Sequence, residues 1–158
     1  MAIPIVVAGD LLDQDVAVIV NSWNRNIIPW WLLVPQGVSG AIKRRGGYRP
    51  FRELAKHGSI PLGGAVLTSA GKLPFQGIIH VAAISMWWIS SESLSPWLRS
   101  QRHADCHGQK FPSVAFPAWW GREREGHRPS VFCSGCLTRL KSIEFPGEIR
   151  IVRYAPSK

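Results

Sequence analysis

Apolar positions along the chain come in short, nearly continuous runs rich in β-branched residues, the pattern of strands covered on both faces. Ile3 to Ala8 and Val16 to Val20 are the first two such runs, and Gly9-Asp10-Leu11-Leu12-Asp13-Gln14-Asp15 between them reads as a turn carrying helix-capping residues. Val66 to Thr68 and Gly77 to Ala83 repeat the strand pattern, as does Ile149 to Tyr154 after a Pro146-Gly147 turn. Helix-like segments, Gly37 to Arg45, Pro50 to Lys56 and Leu137 to Ser142, alternate with these runs. Strands interleaved with helices predict an α/β fold. No repeat or low-complexity linker divides residues 1–158, so one domain is expected.

Composition narrows the class. Of 158 residues, 46% are apolar and 18% charged, which suits a packed core and excludes a disordered tail or a coiled coil. No run of eighteen apolar residues occurs, and Met1-Ala2-Ile3-Pro4 lacks the basic start of a secretory leader, so a cytoplasmic protein with no membrane partner is expected. Three cysteines, none before Cys106, do not make a disulfide framework. Nineteen Lys and Arg against ten Asp and Glu give a net charge of +9, a balance suited to polyanionic or phosphorylated partners.

Candidate chemistry gathers at two places. Asn21-Ser22-Trp23-Asn24-Arg25-Asn26 is a polar cluster at the carboxyl end of a strand, where open α/β sheets hold ligands. Gly37-Val38-Ser39-Gly40-Ala41-Ile42 puts small residues at a helix start, where backbone N–H groups can receive phosphate. Simpler readings stand beside these. Asp10 fits a helix cap, Asn21 and Asn24 fit turn formers, His80 fits a satisfied core histidine, and Lys43-Arg44-Arg45 fits a solvated helix end matched to the helix dipole.

Gly9-Asp10-Leu11, the strand into Asn21-Ser22-Trp23-Asn24, Gly37-Val38-Ser39-Gly40-Ala41-Ile42, Gly64-Ala65-Val66-Leu67-Thr68, Leu73-Pro74 and Ile78-Ile79-His80 together, in this order and spacing, resemble a macro domain. The likeness covers roughly residues 5 to 85 and returns at Ser113-Val114-Ala115-Phe116-Pro117 and the last strand. It implies a three-layer α/β fold with a central mixed sheet flanked by helices. The implied ligand is ADP-ribose, free or carried on a protein or nucleic acid, with hydrolysis of an ADP-ribosyl linkage in some members. By motif match Asp10 would accept from the adenine amino group and the Leu11 N–H would reach the ring. Asn21 and Asn24 would lie at the ligand, with Asn24 orienting the distal ribose and a catalytic water. The backbone of Gly37, Val38, Ser39 and Gly40 would hold a phosphate. Neither a metal nor a cofactor is implied.

The sequence departs from the family pattern in three places. Ser39 stands where hydrolytic members carry an acidic residue, and a hydroxyl is no carboxylate base. The insertion Ile27-Ile28-Pro29-Trp30-Trp31-Leu32-Leu33 is apolar and is expected in the core or an interface. After Phe116-Pro117, Ala118-Trp119-Trp120-Gly121-Arg122-Glu123-Arg124-Glu125-Gly126 replaces an expected Gly-rich phosphate loop, which predicts weakened or lost ligand binding.

The genetic code offers a reason for the third. Read from the third base of the Ala118 codon, the same bases permit Leu-Val-Gly-Ala-Gly-Thr-Gly, and shifted readings of Ser100 to Lys110 and Ser130 to Arg139 permit helix-like sequences. About residues 92 to 110 and 118 to 138 are therefore expected to be frame-shifted. His103, Cys106, His107, His127, Cys133 and Cys136 fall within or beside these segments, and their one C-x-x-C pair lacks the second pair that structural zinc needs. Two alternatives to ADP-ribose binding stay open: a basic nucleic-acid-binding module and a degenerate macro domain with no activity.

Overall fold

A computed structural model of the chain describes residues 5–24, 37–61, 65–84, 111–117 and 147–154. Six strands make one sheet: β1 (Ile5–Gly9), β2 (Val18–Asn24), β3 (Ala65–Thr68), β4 (Gly77–Ile84), β5 (Ser113–Pro117) and β6 (Glu148–Tyr154). Their spatial order is β1-β6-β5-β2-β4-β3, with every pair parallel except β3 against β4. The carboxyl ends of the five parallel strands therefore share one edge. A 3-10 turn, Leu11–Asp13, follows β1, and two helices, α1 (Gly37–Gly46) and α2 (Arg49–Ala55), lie between β2 and β3 in sequence.

Strand alternation sorts the core into two clusters. Ile19, Trp23, Ile78, Ala115 and Val152 face one side, packed with Ile42 of α1 and with Phe51 and Leu54 of α2. Val18, Val20, Ile79, Val81, Val114, Phe116, Ile149 and Ile151 face the other side and are buried there too. Burial on both faces explains why these strands read as apolar runs rather than strict alternation.

Strand β2 differs from its expected bounds at both ends. Its start moves to Val18 because the Ala17 amide donates to Ser113 Oγ (2.8 Å) and the Ala17 carbonyl accepts from the Gln76 amide (2.8 Å), so Ala17 is tied to the side chain that opens β5 and to the residue before β4 rather than to the ladder. It continues through the polar cluster to Asn24 because β4 pairs with it throughout, with a register irregularity at Trp23/Asn24. Asn21 to Asn24 thus belong to the strand. Helix α2 starts one residue earlier than expected, with Pro50 in its first turn.

Gly71 anchors the helical layer to the segment after β3. Its φ of +61° suits glycine, and a Cβ there would fall 2.2 Å from the Gly46 carbonyl oxygen. The same oxygen accepts from the Lys72 amide at 3.0 Å, closing the end of α1 against this turn. Among the described residues no helix is long and apolar enough to cross a membrane. The expected helix at Leu137 to Ser142, the apolar insertion at Ile27 to Leu33, the two expected frame-shifted segments and the cysteine and histidine set around Cys133 lie outside the described residues.

Candidate functional site

Asn21 sits at the centre of β2 with a fully buried amide. In register it faces His80 on β4, and Thr68 lies one strand further on the same side of the sheet. The Asn21 Nδ2 is 3.1 Å from His80 Nδ1, and His80 Nε2 is 2.9 Å from Thr68 Oγ1. Thr68 Oγ1 donates to the Ser69 carbonyl at 3.1 Å, and Ser39 Oγ donates to Asn21 Oδ1 at 2.9 Å.

These four bonds admit one consistent set of protons. Thr68 donates onward to Ser69, so it accepts from His80 Nε2–H; His80 Nδ1 is then an acceptor for the Asn21 amide, whose oxygen receives the Ser39 proton. The chain runs from the first turn of α1 through β2 and β4 to β3 with every buried polar atom in it paired. Burial holds the His80 imidazole down to about 3, while the nearby Glu53 carboxylate pulls the other way. A neutral Nε2–H ring is what this chain requires.

Aromatic rings wall the chain on the helical side. Trp23 and Phe51 lie 5.3 Å apart between centroids, and His80 stands edge-on to Phe51 at 5.7 Å. Lys43, one turn beyond Ser39, puts its ammonium 5.0 Å from the Phe51 ring and 5.7 Å from the Trp23 ring. Burial keeps its pKa below the ordinary 10.5. The side chain expected from sequence to end in solvent is therefore buried, because Lys43 lies on the same helical face as Ser39 and Ile42.

Asp10 follows β1 directly and caps the 3-10 turn. One carboxylate oxygen accepts from the Leu12 amide at 2.9 Å, and the other lies 3.7 Å from Arg45 Nη1 of α1. Arg45 also reaches Asp13 at 2.7 Å. Leu11 buries its side chain in the core, so its backbone is held close beside Asp10. On α2, Glu53 accepts from the Ser69 amide (2.8 Å) and hydroxyl (2.7 Å) and from Arg49. Burial alone would raise the Glu53 pKa, but these donors outweigh it and hold the carboxyl below its usual range.

The parallel strands put two expected site elements at their carboxyl ends, Asp10 and Leu11 after β1 and Asn24 at the end of β2, and Ser39 ties the first turn of α1 to Asn21. Gly37, Val38, Ser39 and Gly40 form that turn, which carries no acidic residue. Asn21 is one turn of strand deeper, its amide committed to Ser39 and His80. Thr68, Glu53 with Ser69, and Arg45 are partners that no sequence motif marks. Thr68 and Ser69 show only as polar residues at the end of an apolar run, and Glu53 and Arg45 only as charges on helices. Among the described residues no three His, Cys, Asp or Glu side chains come together as a metal group.

Known proteins match this architecture. The Macro domain family model matches residues 20–119, more than half of the chain. A macro domain-containing protein of Listeria monocytogenes serotype 4b is 36% identical over 124 residues, covering 71% of this chain and 64% of its own. An O-acetyl-ADP-ribose deacetylase of Escherichia fergusonii is 34% identical over 123 residues, covering 72% of this chain and 64% of its own. The crystal structure of a Trypanosoma brucei macrodomain in complex with ADP-ribose superposes with a TM-score of 0.65 at 19% identity, over 96% of this chain and 63% of that one. The chain belongs to the Macro domain family. Its expected three-layer α/β fold with a central mixed sheet is that of the solved macrodomains. The chain spans less than two thirds of the length of these two sequence relatives.

Proposed function

We propose that this chain binds ADP-ribose, free or attached to a macromolecule, along the carboxyl edge of its parallel strands. The observation that carries this reading is the Asp10 carboxylate just past the carboxyl end of β1, on a layer whose α1 helix opens with an acid-free first turn tied through Ser39 to Asn21 of β2. A carboxylate matches an exocyclic adenine amine, and a helix N-terminus matches a diphosphate. Membership of the Macro domain family and the ADP-ribose complex of the Trypanosoma brucei macrodomain support the same ligand.

Hydrolysis of an ADP-ribosyl linkage is the second activity to test, favoured by the likeness to an O-acetyl-ADP-ribose deacetylase. Ser39 gives its proton to Asn21 and supplies no base. A reaction here would use water oriented by Asn24 and by the substrate's own phosphate. The nucleophile would then depend on substrate-assisted activation, and turnover would be slow.

Isothermal titration with ADP-ribose tests the binding reading. Saturable one-to-one binding that is lost in Asp10→Ala is expected, weaker than in members with a Gly-rich second phosphate loop. No heat at millimolar ligand would overturn it.

A further inference from the structure

We propose that the exposed stripe Tyr48, Arg52 and Lys56 along α2 is a docking surface for single-stranded nucleic acid. These residues are four apart, so they stack along one side of the helix, and Pro50, Phe51 and Leu54 bury the opposite side. Tyr48 is 52% exposed, and the Arg52 and Lys56 side chains are exposed and pair with no carboxylate among the described residues.

The surrounding charge has one sign. From Lys43 to His57 the only acidic residue is Glu53, and Arg49 and Ser69 already occupy it. On α1, Arg44 is exposed and unpaired among the described residues, while Arg45 neutralises Asp10 and Asp13. Lys72 adds another exposed cation where its amide bonds the end of α1. Like charges four apart on a helix repel, so Arg52 and Lys56 do not support each other. A helix C-terminus favours cations, but it gives no reason to expose an aromatic ring at the other end of the stripe.

An aromatic face in line with two cations meets the needs of a single strand, whose bases stack and whose phosphates repeat along it. This surface is separate from the groups assigned to ADP-ribose, although Arg45 places the basic run beside Asp10. The proposal therefore stands or falls independently of the ligand reading.

Fluorescence anisotropy with a labelled twenty-nucleotide oligothymidylate, from 50 to 200 mM salt, tests it. Binding that weakens steeply with salt is expected of the parent chain. Arg52→Gln/Lys56→Gln should reduce the slope of log Kd against log salt by about 1.4, at roughly 0.7 per lost phosphate contact. Tyr48→Ala should weaken binding about fivefold or more through lost stacking, while ADP-ribose titrations of all variants match the parent. Lys56→Gln alone, at the end of the helix, gives the same direction of change should the double variant lose thermal stability. Failure of the parent to bind, or variants indistinguishable from it, would overturn the proposal. So would equal competition by polyglutamate with Tyr48→Ala unaffected, which would give the surface to an acidic polypeptide.

Discussion

Asn21 donates its side-chain amide to His80 Nδ1 across 3.1 Å, and both residues are fully buried on neighbouring strands. That bond fixes which way the Asn21 amide points, and so why its oxygen is left for the Ser39 hydroxyl. The first turn of α1, where a phosphate is proposed to bind, is thereby held to the sheet by a chain ending at Ser69.

Stability should depend on pH through His80. The ring is held down to about 3 by burial in the folded chain and titrates near 6.5 when unfolded. Between these values the unfolded chain binds the extra proton, so stability is full above about pH 6.5 and falls on acidification by up to about 1.4 kcal/mol per pH unit. Glu53, held below the usual carboxylate range by its bonds from Ser69 and Arg49, adds to the loss in more acid solution. Urea midpoints at pH 7 and pH 5 should differ clearly in the parent and much less in His80→Gln; equal differences would discard this account.

Residue 39 should control the direction of the whole chain. Ser39→Ala leaves the Asn21 oxygen buried without its donor, at a cost of about 1–3 kcal/mol. Ser39→Asp brings a carboxylate to the same oxygen, and relief requires the Asn21 amide to flip. Its oxygen then faces His80, which must carry its proton on Nδ1, and Thr68 must donate to Nε2 instead of to the Ser69 carbonyl. Nitrogen-15 NMR of His80 should report the Nε2–H tautomer in the parent and Nδ1–H in Ser39→Asp. An unchanged tautomer in the variant would contradict the coupling.

Asp10 has two separable tasks. Asp10→Ala removes the cap on the Leu12 amide and should cost about 1 kcal/mol of stability. Asp10→Asn keeps an oxygen for that amide but loses the second acceptor. Its stability should stay near that of the parent, because the exposed Arg45 pair contributes little. ADP-ribose affinity should nonetheless drop about tenfold, the equivalent of one hydrogen bond to a charged group. Thermal melts and calorimetric titrations of the two variants together distinguish a cap from a ligand contact.

Gly71→Ala should be among the most damaging single-methyl additions in the chain. The added carbon meets the Gly46 carbonyl at 2.2 Å in a backbone conformation that disfavours a side chain. A loss of about 2–4 kcal/mol in chemical denaturation is expected, through a shift of α1 away from the turn. A melt like the parent's would show that this turn can relax.

The segment after Phe116-Pro117 calls for a genetic measurement. Resequencing the DNA for residues 85 to 145 should restore Gly-rich codons there if the frame is shifted, and the restored chain should bind ADP-ribose more tightly than the chain carrying Trp119-Trp120. An unchanged reading frame would leave the Trp119-Trp120 sequence as the true one.

Strand positions, the start of α1 at Gly37 and the capping place of Asp10 were legible in the sequence, because each depends on local chemistry: β-branched runs, small residues at a helix start, a carboxylate after a turn. So was the likeness to the macro domain family, through motifs in a recognisable order. The tertiary structure alone decided how those residues divide their work. Asn21 and Asn24 look alike in one polar cluster, yet strand pairing puts Asn21 beside His80. Lys43 and Arg45 look alike in one basic run, yet the packing of α1 buries the first among aromatic rings and turns the second to Asp10. Thr68 could not be joined to Ser39 from the sequence, since the bonds between them cross three strands. Local propensity sets where an element lies; only the register and packing of distant segments determine which polar atoms meet in a place from which water is excluded.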